Sequence, residues 1–263
     1  MRTPGGVSNV RIVVEGGQPL QGKLLVPSEL TGRRPGVLFV HGWGDSQRRN
    51  VGTARALVDL GCVCLTFNLR GHGRTRVDID TVTRADNLLD TFAAYDLLAG
   101  QPHVDPTRIG VVGSSYGGYL AILASLERPI RFLALCVPAI YQDADFDRPK
   151  RELNLDPSLS AYRRRRLTPA QNRALASASK FEGDVLIVES ERDEVIPNQV
   201  IVNYRDAFTG AASLVHEVLR DADHGLSRED WRRAYGALLL DWFRRRLGVS
   251  ETAPAISAMA ENG

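Results

Sequence analysis

Gly113-Ser114-Ser115-Tyr116-Gly117 sets a serine at the centre of the spacing G-x-S-x-G. The run before it, "RIGVV", is rich in β-branched residues, and the run after it, "YLAILA", favours helix. In that context the motif is a nucleophile elbow, a strained strand-to-helix turn that holds the Ser115 hydroxyl out at the carboxyl end of a sheet. A serine hydroxyl is a poor nucleophile until a base takes its proton, and the base needs a carboxylate to fix its tautomer and balance its charge. "DADHGL" (221–226) offers His224 in a loop after a strand. "VESERDEVIP" (188–197) closes another strand with Glu189, Glu191, Asp193 and Glu194, any of which could serve that base. "FVHGWGD" (39–45) follows a third strand, and its glycines let the backbone N–H of Trp43 face the same point as that of Tyr116, forming a site for an oxyanion. His103 also competes for the role of base. His41 belongs to the oxyanion loop, His72 to the "RGHG" turn, and His216 reads as a satisfied histidine within a strand.

These groups meet only if the chain folds as alternating strands and helices. "VRIVVEGG" and "GKLLVPS" read as a hairpin turning about Gly16, Gly17 and Pro19. From "GVLFVHG" (36–42) the pattern is regular: helix near 47–60, strand "CVCLTFN", helix from Thr83 to about Ala99, strand "RIGVV", helix from 116, strand "RFLALCV". After a gap come "DVLIVES", a helix near 198–208, "SLVHEVL" and a long last helix. Continuous apolar strands separated by helices imply a mostly parallel sheet of about eight strands, covered on both faces. Ser227 is the expected cap of the last helix, with Asp230 three residues on. Trp231, Tyr235, Leu238 and Trp242 form its apolar stripe, and Gly248 ends it. The expected organisation is a single domain over 1–263, with a small helical cap insertion at about 139–182 and a mobile tail at 249–263. "RRRR" at 163–166, inside that insertion, reads as a solvated charge run.

Composition restricts the partners. The 263 residues carry 33 basic against 31 acidic side chains, a net charge of +2, with 43% hydrophobic content. That balance gives no global attraction to nucleic acid or to an anionic membrane surface. Three cysteines make no disulfide framework, and Cys62 and Cys64, two apart in a strand, read as small core residues. No apolar run reaches the length of a membrane span and no signal peptide is visible, so a cytoplasmic location is expected. Oligomeric state is left open.

From residue 10 to about 247 the chain resembles an α/β-hydrolase. "RIGVVGSSYGGY" is similar to the catalytic segment of the prolyl-oligopeptidase-like and dienelactone-hydrolase-like branches, and "LRGHGRT" resembles a further family segment. The resemblance implies a serine hydrolase with Ser115, Asp193 and His224 as the triad, in the family's nucleophile, acid, base order. Asp193 is singled out because "DEVIP" fits the family's D-x-V-x-P pattern. Position 115 is serine where dienelactone hydrolases use cysteine, and the chain is too short for the propeller of prolyl oligopeptidases. The expected activity is therefore hydrolysis of a small-molecule carboxylic ester, without metal or organic cofactor. Alternatives on the same triad are amide cleavage and acyl transfer, and a non-catalytic ligand-binding homologue is the reading from another class.

Overall fold

In the computed structural model, which describes residues 6–249 other than 74, 76 and 145, the strand-like runs join into one sheet. The strands are β1 (Val7–Ile12), β2 (Leu20–Leu25), β3 (Arg34–Val40), β4 (Val63–Phe67), β5 (Val104–Ser114), β6 (Phe132–Cys136), β7 (Asp184–Ser190) and β8 (Ser213–Leu219). Their order is β1-β2-β4-β3-β5-β6-β7-β8. β1 and β2 pair antiparallel, as do β2 and β4, and all later neighbours are parallel. The parallel strands therefore all end on the same edge, where their following loops gather.

The helices are α1 (Val51–Asp59), α2 (Arg84–Ala99), α3 (Tyr116–Ala124), α4 (Lys150–Leu155), α5 (Ser158–Arg163), α6 (Arg173–Ser179), α7 (Asn198–Ala207) and α8 (Glu229–Leu247). Two cores result, one per face of the sheet. Tyr95, Leu98, Leu120, Leu175 and Tyr204 fill the face under α2, α3, α6 and α7, while Leu57, Leu239, Trp242 and Phe243 fill the face under α1 and α8. Burial on both faces is why β3 to β7 read as unbroken apolar runs. Cys62 and Cys64 sit in the second core, and burial pushes the Cys62 thiol up to about 12, which leaves it inert. Among the described residues no helix is long and apolar enough to cross a membrane.

Local departures from the sequence reading have local causes. β1 spans Val7–Ile12 rather than 10–17, because the chain turns at Gly17, whose N–H donates to the Val14 carbonyl, leaving Val13 exposed. Ser227 does not cap α8. Its N–H and hydroxyl both donate to the Asp223 carboxylate, so the cap position falls to Arg228 and the helix starts at Glu229. Gly248 does end that helix, in the left-handed conformation at φ 69°.

Between β6 and β7 the chain forms α4, α5, a 3₁₀ turn at Pro169–Gln171, and α6. α6 packs on α3 and α7 and belongs to the layer covering the sheet. α4 is tied to the segment before α2, with the Lys150 N–H donating to the Val82 carbonyl at 2.8 Å and a bridge between Thr83 and Pro149. The arginine run is divided: Arg164, Arg165 and Arg166 are exposed, but Arg163 turns inward to donate to the carbonyls of Ile140 and Val195. The expectation of a tail at 249–263 falls on residues 250–263, outside those described.

Candidate active site

Ser115 stands between β5 and α3 at φ 50°, ψ −112°, a conformation that non-glycine residues rarely adopt. Its neighbours hold it there. The Ser115 N–H donates to the Cys136 carbonyl at 2.8 Å, and the Ser115 carbonyl accepts from the Ala139 N–H at 3.0 Å. The flanking glycines are required by close approach: a Cβ on Gly117 would lie 2.1 Å from the Val40 carbonyl oxygen, and one on Gly113 would lie 2.5 Å from the Gly117 carbonyl oxygen. Strand β3 at Gly117, and the first turn of α3 at Gly113, thus pass too near for any side chain at those positions.

His224 comes to Ser115 from the loop after β8, with Nε2 3.0 Å from the Ser115 Oγ. Its Nδ1 lies 2.7 Å from Asp193 Oδ2. Asp193 follows β7, and its other oxygen accepts the N–H groups of Val195 and Ile196 at 2.8 and 2.7 Å, which fixes the plane of the carboxylate. The Asp193 side chain is only 4% exposed, so this contact to His224 is largely shielded from water. Of the other acids, two are engaged elsewhere: Glu189 accepts from Asn198 and faces His216 at 2.9 Å, while Glu191 accepts from Arg220 and from the Asp221 N–H. His216 is half-buried on the edge strand rather than in the core, and His103 is exposed in the loop before β5.

Trp43 and Tyr116 meet beside this relay, their rings edge to face at 5.6 Å. Neither backbone N–H donates to an acceptor among the described residues, as an oxyanion site requires. The loop carrying Trp43 is anchored by His41, buried at 1% exposure. The Leu69 N–H donates to His41 Nε2 at 3.1 Å, so the ring proton resides on Nδ1, which donates to the Gly42 carbonyl at 2.8 Å. Burial, and secondarily His72 nearby, hold the His41 pKa down at about 4 against the hydrogen bond to Gly42. Arg49 pairs with Asp45 of the same loop and donates to the Gly225 carbonyl, linking that loop to the one bearing His224.

A cavity of about 200 Å³ opens at Ser115, lined by Trp43, Arg49, Thr53, His224, Arg232 and Tyr235 among others. Behind Trp43 lies a group the sequence reading passed over. Arg84 and Lys150 are fully buried; Lys150 stacks on the rings of Trp43 and Tyr116, and both lie over the ring of Tyr141. One signal was available: Arg84 opens α2, where the helix dipole disfavours a cation.

Comparison with known proteins places these observations. A curated uncharacterized protein of Mycobacterium tuberculosis is 32% identical over 112 residues, covering 43% of this chain and 39% of that protein. The human mitochondrial palmitoyl-protein thioesterase ABHD10 is 28% identical over 116 residues, 42% of this chain and 35% of that protein. The matched stretch thus spans well under half of either relative. Among solved structures, Est1E from Butyrivibrio proteoclasticus with ferulic acid bound aligns at a TM-score of 0.72 with 17% identity, covering 91% of this chain and 99% of that one. A dienelactone hydrolase from Anabaena variabilis aligns at 0.63 with 21% identity, covering 92% and 99%. Both share the sheet and its helical layers. The model of the alpha/beta hydrolase family matches residues 37–261, and the chain belongs to that family.

Proposed function

We propose that the chain hydrolyses carboxylic esters through an acyl-enzyme on Ser115. The observation that carries this reading is the unbroken hydrogen-bonded relay from Asp193 through His224 to a serine held in a strained turn. In the first step the Ser115 Oγ attacks the ester carbonyl as His224 Nε2 takes its proton, and the N–H groups of Trp43 and Tyr116 receive the negative oxygen. Asp193 accepts the hydrogen bond from Nδ1 and balances the imidazolium. Collapse of the adduct breaks the bond to the alcohol, which leaves with the proton held on Nε2. Water then attacks the acyl-enzyme by the same route, its proton passing through Nε2 to the Ser115 Oγ as the acid departs.

The relatives support the reaction type. Est1E was solved with ferulic acid, and the human relative is named as a thioesterase, an acyl transfer to water that the same groups can perform. A fluorophosphonate probe tests the reading, because it reacts only with an activated serine. Peptide mapping should put the label on Ser115. Ser115→Ala should lose the label and fall roughly 10⁴-fold or more in turnover of 4-nitrophenyl esters, while Ser114→Ala keeps both. A label on Ser114, or on no serine, refutes it.

A further inference from the structure

Three basic side chains converge on one ring beneath α4 and α5. The Lys150 Nζ lies 4.6 Å from the centre of the Tyr141 ring, the Arg163 guanidinium 5.1 Å and the Arg84 guanidinium 5.4 Å. Arg84 and Lys150 are 0% exposed and Arg163 is 8% exposed. Among the described residues no carboxylate pairs with any of them; Asp143, in the loop after β6, is held by Arg173 instead. Among the described residues Lys150 Nζ donates only to the side-chain oxygen of Asn154, and it is otherwise faced by the rings of Trp43, Tyr116 and Tyr141. Arg84 spends Nη1 on the Gln142 carbonyl and the Tyr119 hydroxyl, leaving Nε and Nη2 buried without partners.

Such an arrangement is costly as it stands. Ring quadrupoles attract cations, yet they do not replace a counter-charge, and unpaired buried donors lose their hydration without return. Burial, then Arg163 and Arg84, push the Lys150 pKa down to about 6. What the cluster lacks is an anion.

Its position indicates which anion. Lys150 Nζ is 4.7 Å from the centre of the Trp43 ring and 5.1 Å from that of Tyr116, the two residues whose backbone N–H groups face the oxyanion. The leaving alcohol must take its proton from His224, and so belongs in the cavity that His224 lines with α1 and α8. Arg84, Lys150 and Arg163 do not line that cavity; their cluster adjoins it through the Trp43 ring, on the side left for the acyl part once the alcohol occupies the cavity. We propose that Arg84, Lys150 and Arg163 form a subsite for a carboxylate at the far end of the acyl group, so that the preferred substrates are half-esters of dicarboxylic acids. The subsite is closed in this structure, and entry of the carboxylate requires the Trp43 ring or α4 to move aside. The proposal rests on the esterase reading above.

The test compares mono-4-nitrophenyl esters of succinic, glutaric and adipic acid with the matching methyl 4-nitrophenyl diesters, which keep the shape and lose the charge. Wild type should favour at least one half-ester about 10- to 100-fold in kcat/KM, the range for a hydrogen bond to a charged group. Lys150→Met should lower kcat/KM for the half-ester at least about 10-fold more than for the matching diester, so that the preference collapses, as expected of a charge-reading group. Equal use of half-ester and diester by wild type overturns the proposal, and so does an equal fall of both in Lys150→Met, which would mean a structural role. A preference that instead follows a carboxylate on the leaving group, read with 4-acyloxybenzoates, overturns the acyl placement. Calorimetry on Ser115→Ala with monomethyl and dimethyl glutarate separates this proposal from the esterase reading and does not need Lys150→Met to fold. Selective binding of the monoacid supports the subsite even if no ester is turned over, and indifferent binding refutes it even if esters are.

Discussion

Acid should loosen the loop that carries Trp43 through one histidine. His41 accepts the Leu69 N–H on Nε2, so a second ring proton would set two donors against each other in a site that excludes water. Its pKa lies at about 4 in the folded chain against 6.5 for an unperturbed histidine. Between those values the unfolded chain binds a proton that the folded chain refuses, so stability rises with pH across that window and is lost as pH falls through it. Integrating the two titrations gives a loss of about 2 kcal/mol at pH 5 and about 3 kcal/mol at pH 4, relative to neutral pH. His41→Gln removes the titration while its side-chain oxygen can still accept from Leu69. Urea unfolding of both proteins from pH 7 to pH 4 isolates the effect, because carboxylates shared by the two cancel in the difference. His72, whose ring lies 5.1 Å away and whose pKa is also lowered by burial, stays in both. The gap between wild type and His41→Gln should close, and then reverse in favour of the variant, by about 3 kcal/mol over that range. A gap that stays constant with pH would show that His41 does not carry the acid sensitivity of the loop.

Two further outcomes follow from the site. Asp193→Asn keeps an oxygen for the N–H groups of Val195 and Ile196 but turns an amide N–H toward His224 Nδ1; this forces the wrong tautomer and should cost roughly 10⁴-fold in kcat with the fold intact. Adding the same change to His224→Ala should cost little more, and full multiplication of the two defects in folded proteins would mean that Asp193 does not serve His224. Gly117→Ala drives a methyl into the Val40 carbonyl and should destabilise by about 3 kcal/mol or more, whereas Gly236→Ala, with nothing within 4 Å of its added Cβ, should stabilise α8 by about 0.5–1 kcal/mol. Denaturant midpoints of the two variants decide it, and equal shifts would refute the close approach at the elbow.

What was legible in the sequence was whatever is written locally. The strand that ends in Gly113-Ser114-Ser115 and the carboxylate and histidine in loops after later strands are short patterns. A parallel sheet brings them to one edge whatever else the chain does. Cys62 and Cys64 were legible for the same reason, since a strand buried on both faces has only core positions to offer. The cap of α8 was misread because Ser227 had two possible partners nearby, and Asp223 won it from the helix. Arg84, Lys150 and Arg163 were illegible for a different reason. Each lies in a stretch that reads as an ordinary polar surface, and only the return of the segment between β6 and β7 to the start of α2 brings them to the same ring.

Backbone strain marks the same edge of the sheet. The non-glycine residues with positive φ among those described are Ser115, Val137, Asp221 and Leu226. Ser115 and Val137 follow β5 and β6, while Asp221 and Leu226 enclose His224 after β8. Each such conformation costs about 1–3 kcal/mol, and Val137, being β-branched, is an especially unfavourable occupant. Each is held by a backbone hydrogen bond: Val137 donates to the Val188 carbonyl at 2.8 Å, Ser115 to that of Cys136, Leu226 to that of Asp223, and Asp221 to the Glu191 carboxylate. Val137 and Leu226 are buried as well. A turn chosen only to connect a strand to a helix has no need of a strained serine or a strained valine, since glycine would serve at no such cost. Strain at Ser115, at the end of the neighbouring strand β6 and on both sides of His224 is accounted for if the positions of Ser115 and His224, rather than the ease of the turns, determined these residues.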